Sequence, residues 1–238
     1  MTILCIETST NCCSVAVTID GRAVAVAANM DRANHASELP IFIQQLLDKC
    51  KEHNWKLDAI ALSQGPGSYT GLRIGASTAK GLCYGLNIPL IPIDTLQVIC
   101  MSMLAQMNQN RITLAEGAQL CPMLDARRME VYTSIYSTNA TRTRDVEAKI
   151  INEQSFLQER SKNTLYFFGN GAEKCKNTIT APNAIFIDNI LPHAQYMGII
   201  VKSHTTTSLD IKQLAYYEPF YLKEFVAAPS HIKGLETK

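Results

Sequence analysis

Ile3-Leu4-Cys5-Ile6-Glu7-Thr8-Ser9-Thr10, followed by Ser14-Val15-Ala16-Val17-Thr18-Ile19-Asp20-Gly21, opens the chain. Ile3 and Cys5, then Val15, Val17 and Ile19, recur at the two-residue period of strands. Asp20-Gly21 supplies residue types that accept positive φ at both centres of a type I′ turn, and 23–28 forms the return strand. The opening is therefore predicted as strand, strand, hairpin, strand: an antiparallel meander rather than a βαβ unit.

Beyond the meander the period changes. Leu39, Phe42, Ile43, Leu46, Leu47 and Cys50 fall at intervals of three and four, which predicts a helix over 37–50 with Ser37 as N-cap and Pro40 in the first turn. A short apolar strand over 57–62 enters a loop at 63–67, a helix runs from about 68 to 86, and 88–93 is a buried strand. Asp94 with Gln97 has the form of a capping box for a helix reaching about 107. The polar stretch 107–119 is the best boundary. After it, strands are expected at 120–125 and 130–136, joined through Ala126-Arg127-Arg128, then a long loop or edge strand at 139–149. Further strands fall at 165–168 and 185–187, and a helix at 192–204. Residues 210–225 have no clear assignment and 227–238 form a polar tail. This pattern predicts an α/β protein of mixed sheets flanked by helices, with an N-terminal lobe at 1–108 and a C-terminal lobe at 109–238.

Composition narrows the function. The 238 residues carry 22 Lys+Arg against 21 Asp+Glu, 47% are hydrophobic and 18% charged. A net charge of +1 argues against a strongly basic nucleic-acid binder, and ordinary hydrophobicity argues against disorder. The eight cysteines (5, 12, 13, 50, 83, 100, 121 and 175) contain no C-x-x-C pair and sit mostly in apolar runs, which implies buried free thiols in a reducing compartment. His35, His53, His193, His204 and His231 include no pair at helical ligand spacing, so no zinc site is expected. Glu7 interrupts the first apolar stretch, which therefore does not read as a signal peptide, and no apolar run reaches the ~20 residues of a membrane span. A cytoplasmic protein is expected.

The sharpest local feature is Gly65-Pro66-Gly67-Ser68-Tyr69-Thr70-Gly71-Leu72-Arg73-Ile74-Gly75, at a strand-to-helix junction. Backbone N–H groups at such a junction suit phosphate, with Gly65, Gly67 and Ser68 as the contacts. The segment is neither a Walker A loop nor G-x-G-x-x-G, and a tight turn followed by close helix packing is the favoured reading. Leu72, Ala76, Ala79, Cys83 and Leu86 form an apolar stripe along the following helix. Beside it runs Gly71, Gly75, Thr78, Leu82 and Gly85. Each helical glycine costs about 1 kcal/mol relative to alanine, so a stripe of them implies close approach by another backbone, in this chain or in a partner. In the partner reading, Gly75→Leu should block assembly and leave the monomer folded. Other candidates have plainer alternatives. Glu7 stands where related phosphotransferase folds place a metal-holding Asp, without the glycine that follows it. Asp125 and Glu130 are either a carboxylate pair or a solvated, self-paired loop, Asn34-His35 a ligand contact or a cap, and Cys12-Cys13 reactive or inertly buried.

Taken together these segments resemble the bacterial TsaB (YeaZ-type) proteins. The resemblance rests on 3–10 with 14–17, on 65–75, on Ala79-Lys80-Gly81-Leu82, and on Ile88-Pro89-Leu90-Ile91-Pro92-Ile93-Asp94-Thr95-Leu96. It continues in Asp125-Ala126-Arg127-Arg128 with Glu130-Val131-Tyr132, is dense to about residue 136 and thin afterwards. Pro219-Phe220-Tyr221-Leu222-Lys223 resembles a closing Tyr-Leu-Arg, with Lys for Arg. The resemblance implies a two-lobed fold of the actin, sugar-kinase and heat-shock-ATPase type, with a degenerate C-terminal lobe whose last segment packs back on the first. It also implies a non-catalytic scaffold subunit in making threonylcarbamoyladenosine beside the tRNA anticodon. Its partners would be the transferase TsaD, the ATPase TsaE and a second copy of itself, with tRNA met only through the complex. No cofactor would be bound tightly, with a nucleotide held at most at a shared subunit interface. The catalytic paralogue carries His-x-x-x-His after the strand matching 88–93, two imidazoles on one helix face. Here that segment reads Asp94-Thr95-Leu96-Gln97-Val98-Ile99-Cys100. The partner contact would then be Gly71, Gly75, Thr78, Leu82 and Gly85, with the helix that begins near Ser37. The alternatives are an ATP-dependent phosphotransferase using 65–71 and a direct tRNA-binding module.

Overall fold

The computed structural model describes residues 1–31, 33–204 and 206–223. The meander forms as β1 (Thr2–Glu7), β2 (Cys13–Ile19) and β3 (Arg22–Asn29), each antiparallel to the next. Asp20 and Gly21 have φ of 49° and 86°, the pair of positive values that the turn residues permit. Next come α1 (His35–Glu52), β4 (Ala59–Gly65), α2 (Tyr69–Leu86) and β5 (Leu90–Asp94). β4 lies parallel to β1 and β5 parallel to β4, giving the order β3-β2-β1-β4-β5.

After α3 (Thr95–Gln109) the chain builds β6 (Gln119–Asp125), β7 (Glu130–Thr133), β8 (Glu147–Ile150), α4 (Leu157–Arg160), β9 (Leu165–Phe168) and β10 (Ala184–Ile187). The order β10-β9-β6-β7-β8 repeats the first sheet's plan: a three-strand meander, then two parallel strands on its other side. The crossovers differ. Where the first lobe has two 18-residue helices, the second has the four residues of α4 and a 3-10 turn at Glu173–Cys175.

Both faces of the first sheet are buried along β1, β2 and β4, while the edge strand β3 is largely exposed. Leu39, Ile43 and Leu46 of α1, with Ala76, Ala79 and Cys83 of α2, cover Leu4, Ile6, Val15 and Leu62. On the other face Val98 of α3 and Ala194, Met197 and Ile200 pack on Ile3, Cys5, Ala61 and Ile93. The far side of α3, through Leu96, Ile99 and Met103, meets Leu120, Leu124 and Phe168 of the second sheet. Each such aliphatic side chain contributes about 2 kcal/mol on full burial, so α3 binds the lobes by serving both cores.

The chain then returns. A 3-10 turn at Ala194–Tyr196 and α5 (Met197–Ser203) replace the single helix expected at 192–204 and lie on the first sheet. Leu209 pairs with Leu90, α6 (Ile211–Leu214) places Leu214 in the first core, and Phe220 N–H donates to Gln64 O at 2.7 Å. The second sheet lies within 109–238, but Ala194, Met197, Ile200, Leu209, Leu214 and Phe220 of that stretch belong spatially with the first lobe.

Other boundaries moved for local reasons. α1 starts at His35, two residues before Ser37, behind the cap Asn34, whose N–H donates to Glu38 Oε1; Pro40 therefore lies beyond the first turn. At Asp94 the side chain accepts from Leu96 N–H, while Gln97 donates to Ala140 O, so no reciprocal box closes there. β7 stops at Thr133 because Ser134 turns to Arg144 O, leaving Tyr136 in isolated bridges to Leu120 and Arg142. The predicted tail lies outside the described residues. Among those described, no helix is long and apolar enough to cross a membrane. All eight cysteines are free and buried.

Candidate functional site

Between the lobes a cleft of about 520 Å³ is bordered by the end of β1, the N-terminus of α2 and the β6–β7 turn. Gly67 and Ser68 line it; Gly65 does not. The loop owes its glycines to the chain itself. A Cβ on Gly67 would lie inside contact distance of Ser9 O, which accepts the Ser68 N–H at 2.6 Å. Gly65 has φ +113°, and a Cβ there would lie 2.5 Å from Phe220 O. Ser68 Oγ caps α2 by accepting from Gly71 N–H at 3.3 Å. The Ser68 groups expected to cradle phosphate are therefore committed to β1 and to the helix.

Glu7 is fully buried beneath the cleft floor and does not reach it. Its Oε1 accepts the Ser9 N–H at 2.6 Å, and burial pushes its carboxyl up to about 7. Glu7 Oε2, Thr8 Oγ1 and Ser9 Oγ are buried without a protein partner. The donor set does not fit the metal that related phosphotransferases hold: one sealed carboxyl faces hydroxyls. Among the described residues no three His, Cys, Asp or Glu side chains gather. Nor does α3 offer imidazoles; Asp94 is its cap and accepts the Tyr136 hydroxyl at 2.6 Å.

Asp125 and Glu130 do not act as a pair. Lys174 holds Asp125 and also donates to Arg128 O and Glu130 O, while Lys223 holds the Glu130 carboxylate. This is the self-paired loop, with lysines from distant segments as partners. Arg127 and Arg128 sit at φ 69° and 47°, a left-handed turn that the Lys174 bonds over-determine. His35 Nε2 reaches Cys12 O at 3.1 Å and Cys12 Sγ donates to Met30 O, so both side chains secure a loop. Burial pushes the Cys12 thiol up, and to about 12 at Cys13.

The glycine stripe of α2 divides. A Cβ on Gly71 would collide with Thr8 O, and one on Gly75 with Thr8 Oγ1 and, at 3.1 Å, Leu62 Cδ1. What their smallness admits is Thr8 of the same chain, just past the end of β1: its backbone at Gly71 and its side chain at Gly75. This corrects the assignment of Gly71 and Gly75 to a partner contact, and with it the expectation that Gly75→Leu leaves the monomer folded. Thr78 and Leu82 are half-buried, and only Gly85 of that stripe is open. Leu86, expected in the core stripe, is exposed. The solvent face of α2 is rotated from the predicted one. It carries Arg73, Ser77, Gly81 and Tyr84, with Gly85 beside them, all exposed. A Cβ on Gly81 or Gly85 would meet nothing within 4 Å, and Tyr84 is 76% exposed. The four-residue spacing of Gly81 and Gly85, opposite Ala76, Ala79 and Cys83, was the available signal.

The family described as TsaD, tRNA N6-adenosine threonylcarbamoyltransferase, matches residues 26–227. The tRNA threonylcarbamoyladenosine biosynthesis protein TsaB of Haemophilus influenzae is 31% identical over 240 aligned residues, covering 95% of each chain. The protein of the same description from Escherichia coli is 34% identical over 57% of this chain and 55% of its own. Among solved structures, YeaZ from Pseudomonas aeruginosa superposes with a TM-score of 0.72 at 24% identity, over 93% of this chain and 99% of that one.

Proposed function

Because the chain belongs to the TsaB family, we propose that it serves the biosynthesis of threonylcarbamoyladenosine in tRNA as a subunit without an active site of its own, docked on a threonylcarbamoyltransferase of related fold. The observation that carries this reading is the open face of α2. Gly81 and Gly85 leave the helix backbone bare on both sides of an exposed Tyr84, while the opposite face is locked into the first core. Such a face lets a partner helix approach closely, with the tyrosine as its anchor. The cleft supplies no rival chemistry: the acid beneath it is sealed, the Asp125 carboxylate that lines it is paired with Lys174, and nearby Glu130 is paired with Lys223. Free buried thiols fit a reducing compartment.

Reconstitution tests the proposal. With the transferase, the adenylate-forming enzyme and an ATPase present, modification of tRNA should require this chain. Gly81→Leu should abolish co-sedimentation with the transferase without lowering the melting temperature of the isolated chain, because the added side chain projects into open space. Transfer of the threonylcarbamoyl group by this chain alone, or an unchanged complex with Gly81→Leu, would refute it. If Gly81→Leu instead dissolves only a dimer of this chain, the face serves self-pairing.

A further inference from the structure

Where α2 meets the returning C-terminal segment there is a second cavity, of about 460 Å³, which adjoins the interlobe cleft across Tyr69, Tyr221 and Lys223. One wall is the helix face bearing Tyr69, Arg73, Ser77 and Lys80; the other is the segment from Tyr217 to Lys223. Its aromatic side is preformed. The rings of Tyr69 and Tyr221 are 5.0 Å apart, and the Arg73 guanidinium lies 4.9 Å from the Tyr69 ring centroid. Its charge is unbalanced. Lys80 Nζ donates to Ala215 O and Tyr217 O, both at 3.1 Å, which fixes the ammonium without neutralising it. Lys223 is paired with Glu130 outside the pocket. Among the described residues, neither Arg73 nor Lys80 has a carboxylate within ion-pairing distance. The one acid on the wall is Glu218.

We infer that this pocket is a carboxylate receptor, taking an Asp or Glu side chain of the partner that docks on α2, with Arg73 as the charge and the tyrosines as apolar walls. The inference rests on the docking reading above and deepens it. A planar guanidinium held over a ring is preorganised for a carboxylate, and shielding by the aromatic walls strengthens the contact. Glu218 disfavours a multiply charged phosphate in the same space and leaves a single carboxylate matched. A protein carrier fits because Arg73 and Ser77, on the pocket wall, continue along the exposed helix face into Gly81 and Tyr84. Arg73 stands eight residues from Gly81, about 12 Å along the helix axis, a span that two turns of a helix laid on the glycines would cover.

Titration calorimetry of the transferase with the wild-type chain, Arg73→Glu, Arg73→Gln, Glu218→Gln and Gly81→Leu tests this. Arg73→Glu should weaken binding by at least about tenfold and Arg73→Gln by less, both flattening the dependence of Kd on salt. Glu218→Gln should tighten binding, since it removes a like charge; a role confined to folding would not produce that change of sign. Arg73 variants that bind as wild type while Gly81→Leu fails would overturn the pocket and leave the docking face standing. If Gly81→Leu also binds as wild type, the docking reading falls first. Binding of Mg-ATP by the isolated chain that Arg73→Gln abolishes, with transferase affinity unchanged, would make this a nucleotide pocket and overturn the inference.

Discussion

Glu7 shows how a single buried group sets a pH dependence. It sits at the end of β1 with one oxygen bonded to its own chain and the other bonded to nothing in the protein. Burial raises its carboxyl from 4.5 to about 7 in the fold. The folded state therefore holds the proton more tightly than the unfolded chain does, and stability should fall as pH rises between those two values, then level off. The full difference is about 3 kcal/mol, present below pH 4.5 and lost by pH 7. Glu7→Gln keeps an oxygen for the Ser9 N–H and cannot ionise. Urea midpoints of that variant should lose this slope; a wild-type slope surviving the substitution would show that another group is responsible.

For the helix α2, the face on which a glycine lies decides what it does. Gly71 and Gly75 abut Thr8, whereas Gly81, about a third of a turn round the helix from Gly75, lies opposite the buried Ala79 and Cys83 and meets only solvent. Gly71→Ala should destabilise the isolated chain by about 2 kcal/mol or more through overpacking against backbone. Gly81→Ala should stabilise it by about 1 kcal/mol, the intrinsic helical difference. Denaturant unfolding of the two variants reads both signs, and equal effects would contradict the geometry. The C-terminal segment matters on the same scale. Lys80 ties it to α2 through two carbonyls, and Lys223 ties it to β7, so one short strand of chain spans both lobes.

Across the whole molecule, two sheets of the same order are joined by one helix that serves both cores. The thiols report on every core: Cys13, Cys50 and Cys83 lie under the first lobe's outer helices, Cys5 and Cys100 in the clusters served by α3, and Cys121 and Cys175 within the second lobe. All eight are buried, and burial pushes Cys5, Cys13, Cys83 and Cys121 up to about 12. A thiol reagent in solution should therefore label the native protein only as fast as it opens, and label all eight once it is unfolded in denaturant. Immediate labelling of several cysteines in native buffer would mean that these cores open more readily than their packing implies.

The meander, the strand–helix alternation of the first lobe and the family were legible in residues 1–136, because period, turn chemistry and capping are local and each confines its own neighbourhood. Asp20-Gly21 needed no other part of the chain to be read as a turn. The second lobe was harder, since its crossovers have shrunk to a few residues that carry no helical period. Local pattern could say that the glycines of α2 admit a backbone, but not whose. That depended on where β1 passes the helix, a contact across more than sixty residues of sequence. The pocket of Arg73, Lys80 and Tyr221 was likewise invisible, because its two walls lie far apart along the chain and become neighbours only when the C-terminal segment folds back.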